Sequence, residues 1–172
     1  MRIKGLLIVS LFLAVSISGC TSVDPEPTEA AGGVFAIYLP VADLMMDDMP
    51  DLSQIELAEI PVLSSDDILA YDGATHVIEL EPSMVDLLDA LELPGRPFVI
   101  AIDRTPIYAG AFMAAYFSRS YDGVVILWPP MDGEEDTISI QLGYPGADFF
   151  SGEDPRSDAR ILDSLRQAGK LR

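Results

Sequence analysis

Apolar residues recur along this chain at several spacings, and each spacing predicts a different element. Val34 to Leu39 is a short apolar block of the kind that makes a buried strand. Thr75–Leu80 and Pro97–Ile102 read the same way. The second leads through the tight turn Asp103-Arg-Thr-Pro106 into a returning Ile107–Phe112, which predicts a hairpin. Gly123–Trp128 and Asp136–Leu142 form a further strand pair across a turn-rich, charged connection from Pro129 to Glu135. Helical spacing takes over after Pro82, where Met84, Leu87, Leu88 and Leu91 line one face and Pro94-Gly95 stops it. Ile161, Leu162, Leu165 and Ala168 predict a second helix, with Asp154 as its cap, Pro155 in its first turn and Gly169 at its end. Arg166, Lys170 and Arg172 lie where the helix dipole favours positive charge. Ser64 and Asp67 have the form of a capping box, which predicts a short third helix over Ser65–Ala70. No period dominates the acidic, Met-rich stretch from Val41 to Ile60. The pattern as a whole predicts an α+β fold: one domain, with about three helices packed on a mixed or mostly antiparallel sheet of about six strands.

The first twenty residues are of another kind. Arg2 and Lys4 precede an apolar run from Leu6 to Ile17, broken only by Ser10 and Ser16. This is the charged start and apolar centre of a secretory signal, and a run this short is below the ~20 residues needed to span a bilayer as a helix. It ends in Ile17-Ser18-Gly19-Cys20, which resembles the lipobox of bacterial lipoproteins at all four positions. The resemblance implies cleavage before Cys20, diacylglycerol on its sulfur and a fatty acid such as palmitate on the new amino group. Two or more acyl chains anchor stably where one does not. Residues 1–19 are then a signal peptide, 20–33 a lipidated flexible tether and 34–172 the acidic domain. In a Gram-negative host the residues after the cysteine, Thr21-Ser22, imply the outer membrane. Other hosts offer only the cell membrane, and in either case the domain faces the extracytoplasmic side. Cys20 is the only cysteine, so once it is lipidated no thiol remains for a disulfide, a metal or a nucleophile.

Charge narrows the partners. The chain after residue 19 carries eight basic residues against 28 acidic ones, a formal charge of −20, and residues 20–95 hold 17 acids with no Lys or Arg. Such a surface repels nucleic acid and anionic headgroups and attracts basic partners or cations.

Few groups are suited to catalysis. His76 is the only histidine. Strand alternation places it on the buried side with Ile78 and Leu80, where a neutral ring bonded to a neighbour is the structural reading. The functional alternative joins it to Tyr71 and Asp72 as an acid/base or ligand cluster. No Gly-x-Ser-x-Gly elbow occurs. Asp43, Asp47, Asp48 and Asp51, and likewise Asp132, Glu134, Glu135 and Asp136, are oxygen-rich runs, but neither has the spacing of an EF-hand. Gly143-Tyr-Pro-Gly146 is a turn and not a phosphate cradle. No cofactor or metal is called for. Aromatic residues crowd the C-terminal half, from Tyr116, Phe117 and Tyr121 through Trp128 to Tyr144, and most such rings fill cores. Phe149-Phe150, between Gly146 and Gly152, reads as a loop and a candidate docking patch.

Three further segments together resemble the first large extracytoplasmic domain of the SecD/SecDF protein-export family. They are the leader Val62-Leu-Ser-Ser-Asp-Asp-Ile68, the strand Phe98-Val-Ile-Ala-Ile-Asp103 returning to Ala109, and the ending Leu165-Arg-Gln-Ala-Gly169-Lys-Leu171. The resemblance implies an extracytoplasmic head that contacts unfolded or partner protein. The family's transmembrane helices and proton pathway have no counterpart here. The leading expectation is therefore a lipid-anchored, non-enzymatic binding or accessory domain that contacts another envelope protein. The alternatives are a small-molecule or calcium-binding lipoprotein and an enzyme using Tyr71, Asp72 and His76.

Overall fold

A computed structural model describes residues 33–130 and 136–172. The leader, Cys20 and the tether lie outside the described residues, as do Asp132, Glu134 and Glu135. The strands are β1 (Phe35–Tyr38), β2 (Leu63–Ser64), β3 (Ile68–Tyr71), β4 (Val77–Leu80), β5 (Pro97–Ile102), β6 (Thr105–Met113), β7 (Tyr121–Leu127) and β8 (Thr137–Tyr144). The helices are α1 (Ser83–Asp89) and α2 (Ala159–Gln167). All eight strands join one sheet in the order β2-β1-β5-β6-β7-β8-β4-β3. Every neighbouring pair is antiparallel except β6 and β7.

That order forces the sheet to curl. A flat sheet of this width would hold its edge strands ~34 Å apart, at ~4.8 Å per strand. Yet the edges β2 and β3 are joined by Ser65–Asp67 alone, and four Cα steps cannot reach beyond ~15 Å. The sheet therefore rolls into a nearly closed barrel. Its inner face is one core that takes Phe35 and Ile37 from β1, Leu63 from β2, Ile68 from β3, Ile78 from β4 and Ile140 from β8. Met84 and Leu88 of α1 and Ile161 and Leu165 of α2 complete that core. Gly110 of β6 is required where the walls approach, since a Cβ there would stand 2.4 Å from both the Phe98 ring and the Val124 carbonyl.

Part of the outer face is covered by the irregular 41–60 segment. Leu52, Ile55 and Leu57 pack on Ala36, Tyr38, Val99 and Ala101, while Met46 packs among Ala111, Met113, Val125 and Tyr144. The hairpin turn between β5 and β6 fastens this cover. Asp103 and Arg104 both have positive φ, which turns the Arg104 guanidinium back onto the carbonyls of Leu57, Ala58 and Glu59 at 3.0–3.1 Å. It also lies 5.2 Å above the Tyr38 ring.

The α+β class agrees with the pattern of the sequence, while the counts differ: eight strands and two α-helices replace about six and about three. The expected helix over Ser65–Ala70 is a single 3-10 turn, Ser65–Asp67, followed by strand β3. Its capping box is present, with the Asp67 carboxylate accepting from Ser64 N at 2.8 Å. The turn stops there because Ile68 to Tyr71 gain more by pairing with β4 and entering the core. Helix α2 starts at Ala159 and is capped by Asp158, not by Asp154. Both aspartates form the same local Asp-x-Arg clasp, with Arg156 and Arg160 respectively, but only the second leads into helical backbone. In the expected apolar stripes, Leu87 and Ala168 are exposed.

Candidate functional site

His76 does not stand within a strand. It precedes β4 with φ at 58°, a left-handed conformation in which His, like Asn and Asp, is enriched. The Asp72 carboxylate shapes this turn by accepting from Ala74 N at 2.8 Å and Thr75 N at 2.9 Å. These backbone donors hold its carboxyl below the usual range. His76 N donates to the Asp72 carbonyl at 2.8 Å, and the His76 carbonyl accepts from Ile140 N at 3.0 Å. The residue is thereby fixed in a buried position, 5% exposed. Its Nδ1 lies 2.9 Å from the Tyr71 hydroxyl. Assigning Tyr71 as donor and the ring proton to Nε2 satisfies both groups with one neutral pair.

Electrostatics favour that neutral pair. Burial pushes the Tyr71 hydroxyl up to about 12. Burial, and then the nearby Arg156 guanidinium, hold His76 below the ordinary imidazole value. Arg156 is clasped by Asp154, whose carboxyl that ion pair lowers to about 2, and it also donates to the Ile140 carbonyl at 2.9 Å. Tyr108 lies nearby in the core. Burial drives its hydroxyl well above the ordinary tyrosine range, and it has no hydrogen-bond partner among the described residues. Two open hollows flank the cluster. One, of about 560 Å³, is lined by Asp72, Thr75, Glu79, Asp136 and Arg172. The other, of about 270 Å³, is lined by Thr75, Ser139, Gln141 and Arg156. Thr75 borders both, but the His76 ring lines neither. Of the three residues expected to act together, the structure joins Tyr71 to His76 and gives Asp72 to the turn. The Arg172 guanidinium lies 2.9 Å from the Glu79 carboxylate in the first hollow. Among the described residues no three acidic, His or Cys side chains gather closely enough to hold a metal ion.

A different region sets exposed aromatic and methionine side chains near an open, mostly polar hollow. Phe149 ends a 3-10 turn, Ala147–Phe149, and is 49% exposed, whereas Phe150 is half-buried against the core. The expected Phe149-Phe150 patch is thus divided between surface and interior. Phe149 borders an open hollow of about 520 Å³ together with Met46, Asp47, Arg119 and Tyr121. The Asp47 carboxylate and Arg119 guanidinium form an ion pair at 2.5 Å on its rim. Beside it Met45 and Phe117 converge on Gly95, and the Phe117 ring meets Tyr116 edge-on with centroids 5.3 Å apart. Tyr116 is 75% exposed and Met45 53% exposed, so Tyr116 is not the core ring that the crowding of aromatics suggested.

The loop that carries Tyr116 is held from beneath. The buried Tyr144 hydroxyl lies 3.0–3.1 Å from the carbonyls of Ala114, Ala115 and Phe117, pinning the connection between the parallel strands β6 and β7. The adjacent pair Met45-Met46 in an otherwise acidic segment was the available signal for this region. Nothing in local spacing linked it to Phe149, about a hundred residues away. Compared with protein-family models, curated proteins and solved structures, the chain matches none.

Proposed function

We propose that this chain is a lipid-anchored extracytoplasmic lipoprotein whose domain binds another envelope protein and does no chemistry of its own. The observation that carries the reading is the exposure of three large apolar side chains, Met45, Tyr116 and Phe149, on a strongly acidic domain. Large apolar side chains left in water gain free energy when a partner covers them. The buried Tyr71–His76 pair supports the same reading, because its two groups are engaged with each other and His76 lines neither flanking hollow. An export-related partner is the narrower form of the proposal, resting on the three SecD-like segments.

Chemical cross-linking in intact membranes, followed by capture of this chain, tests the reading. The expected result is a discrete cross-linked envelope protein that is missing with a charge-matched control lipoprotein. Recovery of nothing beyond the control overturns it. The anchor is tested separately: Cys20→Ser should release the chain from membranes.

A further inference from the structure

We infer that His76 is an acid-operated latch: protonating its ring releases the 72–76 turn and residues 170–172 together from the end of β3, while the rest of the barrel holds.

Hydrogen bonds tie these parts to one residue. Tyr71 ends β3 and is fully buried. Its hydroxyl engages His76 Nδ1 at 2.9 Å. Its backbone holds residues 170–172, since Tyr71 N donates to Lys170 O at 2.7 Å and Arg172 N donates to Tyr71 O at 2.8 Å. The turn grips the same stretch. Gly73 N donates to the Arg172 carbonyl at 3.2 Å, and a Cβ on Gly73 would stand 3.1 Å from the Leu171 side chain. The remaining hold is light. Leu171 is half-buried, and the Arg172–Glu79 pair is exposed, where ion pairs add little. Gly169, with φ of 69°, gives a pivot just past α2. Thr75, beside His76, borders an open hollow on each side, so the turn can carry the ring into water without parting β5 from β6.

The charges around the ring oppose a proton on it. A proton on Nδ1 takes away the acceptor of the Tyr71 hydroxyl. It also sets a buried positive charge near Arg156, which together with burial already disfavours the charged ring. Asp154 and Asp72 pull the other way, but Asp154 is engaged by Arg156 and Asp72 by the N–H groups of Ala74 and Thr75. Strand β8 brings Ile140 and no charged residue. Tyr108 of β6 acts on Tyr71 with a neutral hydroxyl. The charged ring is therefore more stable in water than in place, and its departure undoes Tyr71's side-chain bond at the point where the turn and 170–172 meet.

Hydrogen–deuterium exchange of the full chain in detergent micelles tests this, read by mass spectrometry at pH 7 and pH 5 with labelling times scaled to the intrinsic rates. Protection in fragments covering 70–76 and 168–172 should fall about tenfold or more, because below the ordinary 6.5 of the ring each pH unit favours its release by up to about tenfold. Fragments from β5 and β6 should keep their protection. His76 is the only histidine, so its ring Cε1–H signal is unambiguous in NMR spectra and should titrate in step with the exchange. His76→Asn should keep both fragments protected at pH 5. Arg156→Gln removes the neighbouring positive charge and should move the release to lower pH, which keeps the test decisive if His76→Asn does not fold. Unchanged protection at pH 5 would overturn the inference, as would equal losses with and without His76. So would simultaneous loss in β5 and β6, or a ring that titrates while exchange stays constant.

Discussion

His76 owes its place to its neighbours. Asp72 bends the chain, β8 receives its carbonyl and Tyr71 supplies the proton at Nδ1. Because burial holds its pKa below the ordinary 6.5, the unfolded chain takes up the proton first as pH falls. Stability from this site is therefore complete above pH 6.5 and declines below it. Asp154 acts in the same direction at lower pH, since its pKa of about 2 lies below the ordinary 3.8 and its contribution is lost as pH falls from there towards 2. The melting temperature should drop between pH 7 and pH 5 and drop again below pH 4. His76→Asn keeps an acceptor near the Nδ1 position and tolerates the left-handed backbone, while removing the titrating ring. It should flatten the first drop and leave the second. Equal first drops in both proteins would rule out His76 as the source.

Among the elements, α2 offers the sharpest comparison, because Asp154 and Asp158 make similar clasps four residues apart. Only Asp158 accepts from a helical N–H. Asp158→Ala should cost about 1 kcal/mol, the usual loss of an N-terminal cap. Asp154→Ala should change helix content little, and circular dichroism with denaturant melts distinguishes the two. The sequence pattern resolved the elements with a strong period: β1, β4, the β5–β6 hairpin, the β7–β8 pair, α1 and the body of α2. It missed β2 and β3, since two or four residues leave no period to read and tertiary pairing decides their state. The capping box was read correctly at Ser64 and Asp67, but a box marks a start and says nothing of length. Phe149 was legible as an exposed ring between glycines. Its partners Met46, Arg119 and Tyr121 were not, because the pairing of β7 with β8 and the packing of the 41–60 segment on them, and not local spacing, bring these residues to one hollow.

For the molecule as a whole, charge is distributed by halves. The five ion pairs among the described residues are Arg119–Asp47, Arg156–Asp154, Arg160–Asp158, Arg166–Asp163 and Arg172–Glu79. Only the first and last reach into the acidic half, so most of its carboxylates repel one another. Raising ionic strength from ~0.01 M to ~0.15 M shortens the screening length from ~30 Å to ~8 Å, and the melting temperature should rise as self-repulsion is damped. A fall over that range would mean that the exposed pairs outweigh the repulsion, contrary to the small value such pairs usually have.

The way β3 is finished bears on handling the protein. Its outer side is not bare: Tyr71 N donates to Lys170 O at 2.7 Å and Arg172 N donates to Tyr71 O at 2.8 Å, so the last residues run alongside as a parallel selvedge. A naked strand border invites stitching between copies. Trimming this hem, or splicing a purification handle into it, would withdraw Leu171 from the core edge and make neighbouring molecules adhesive.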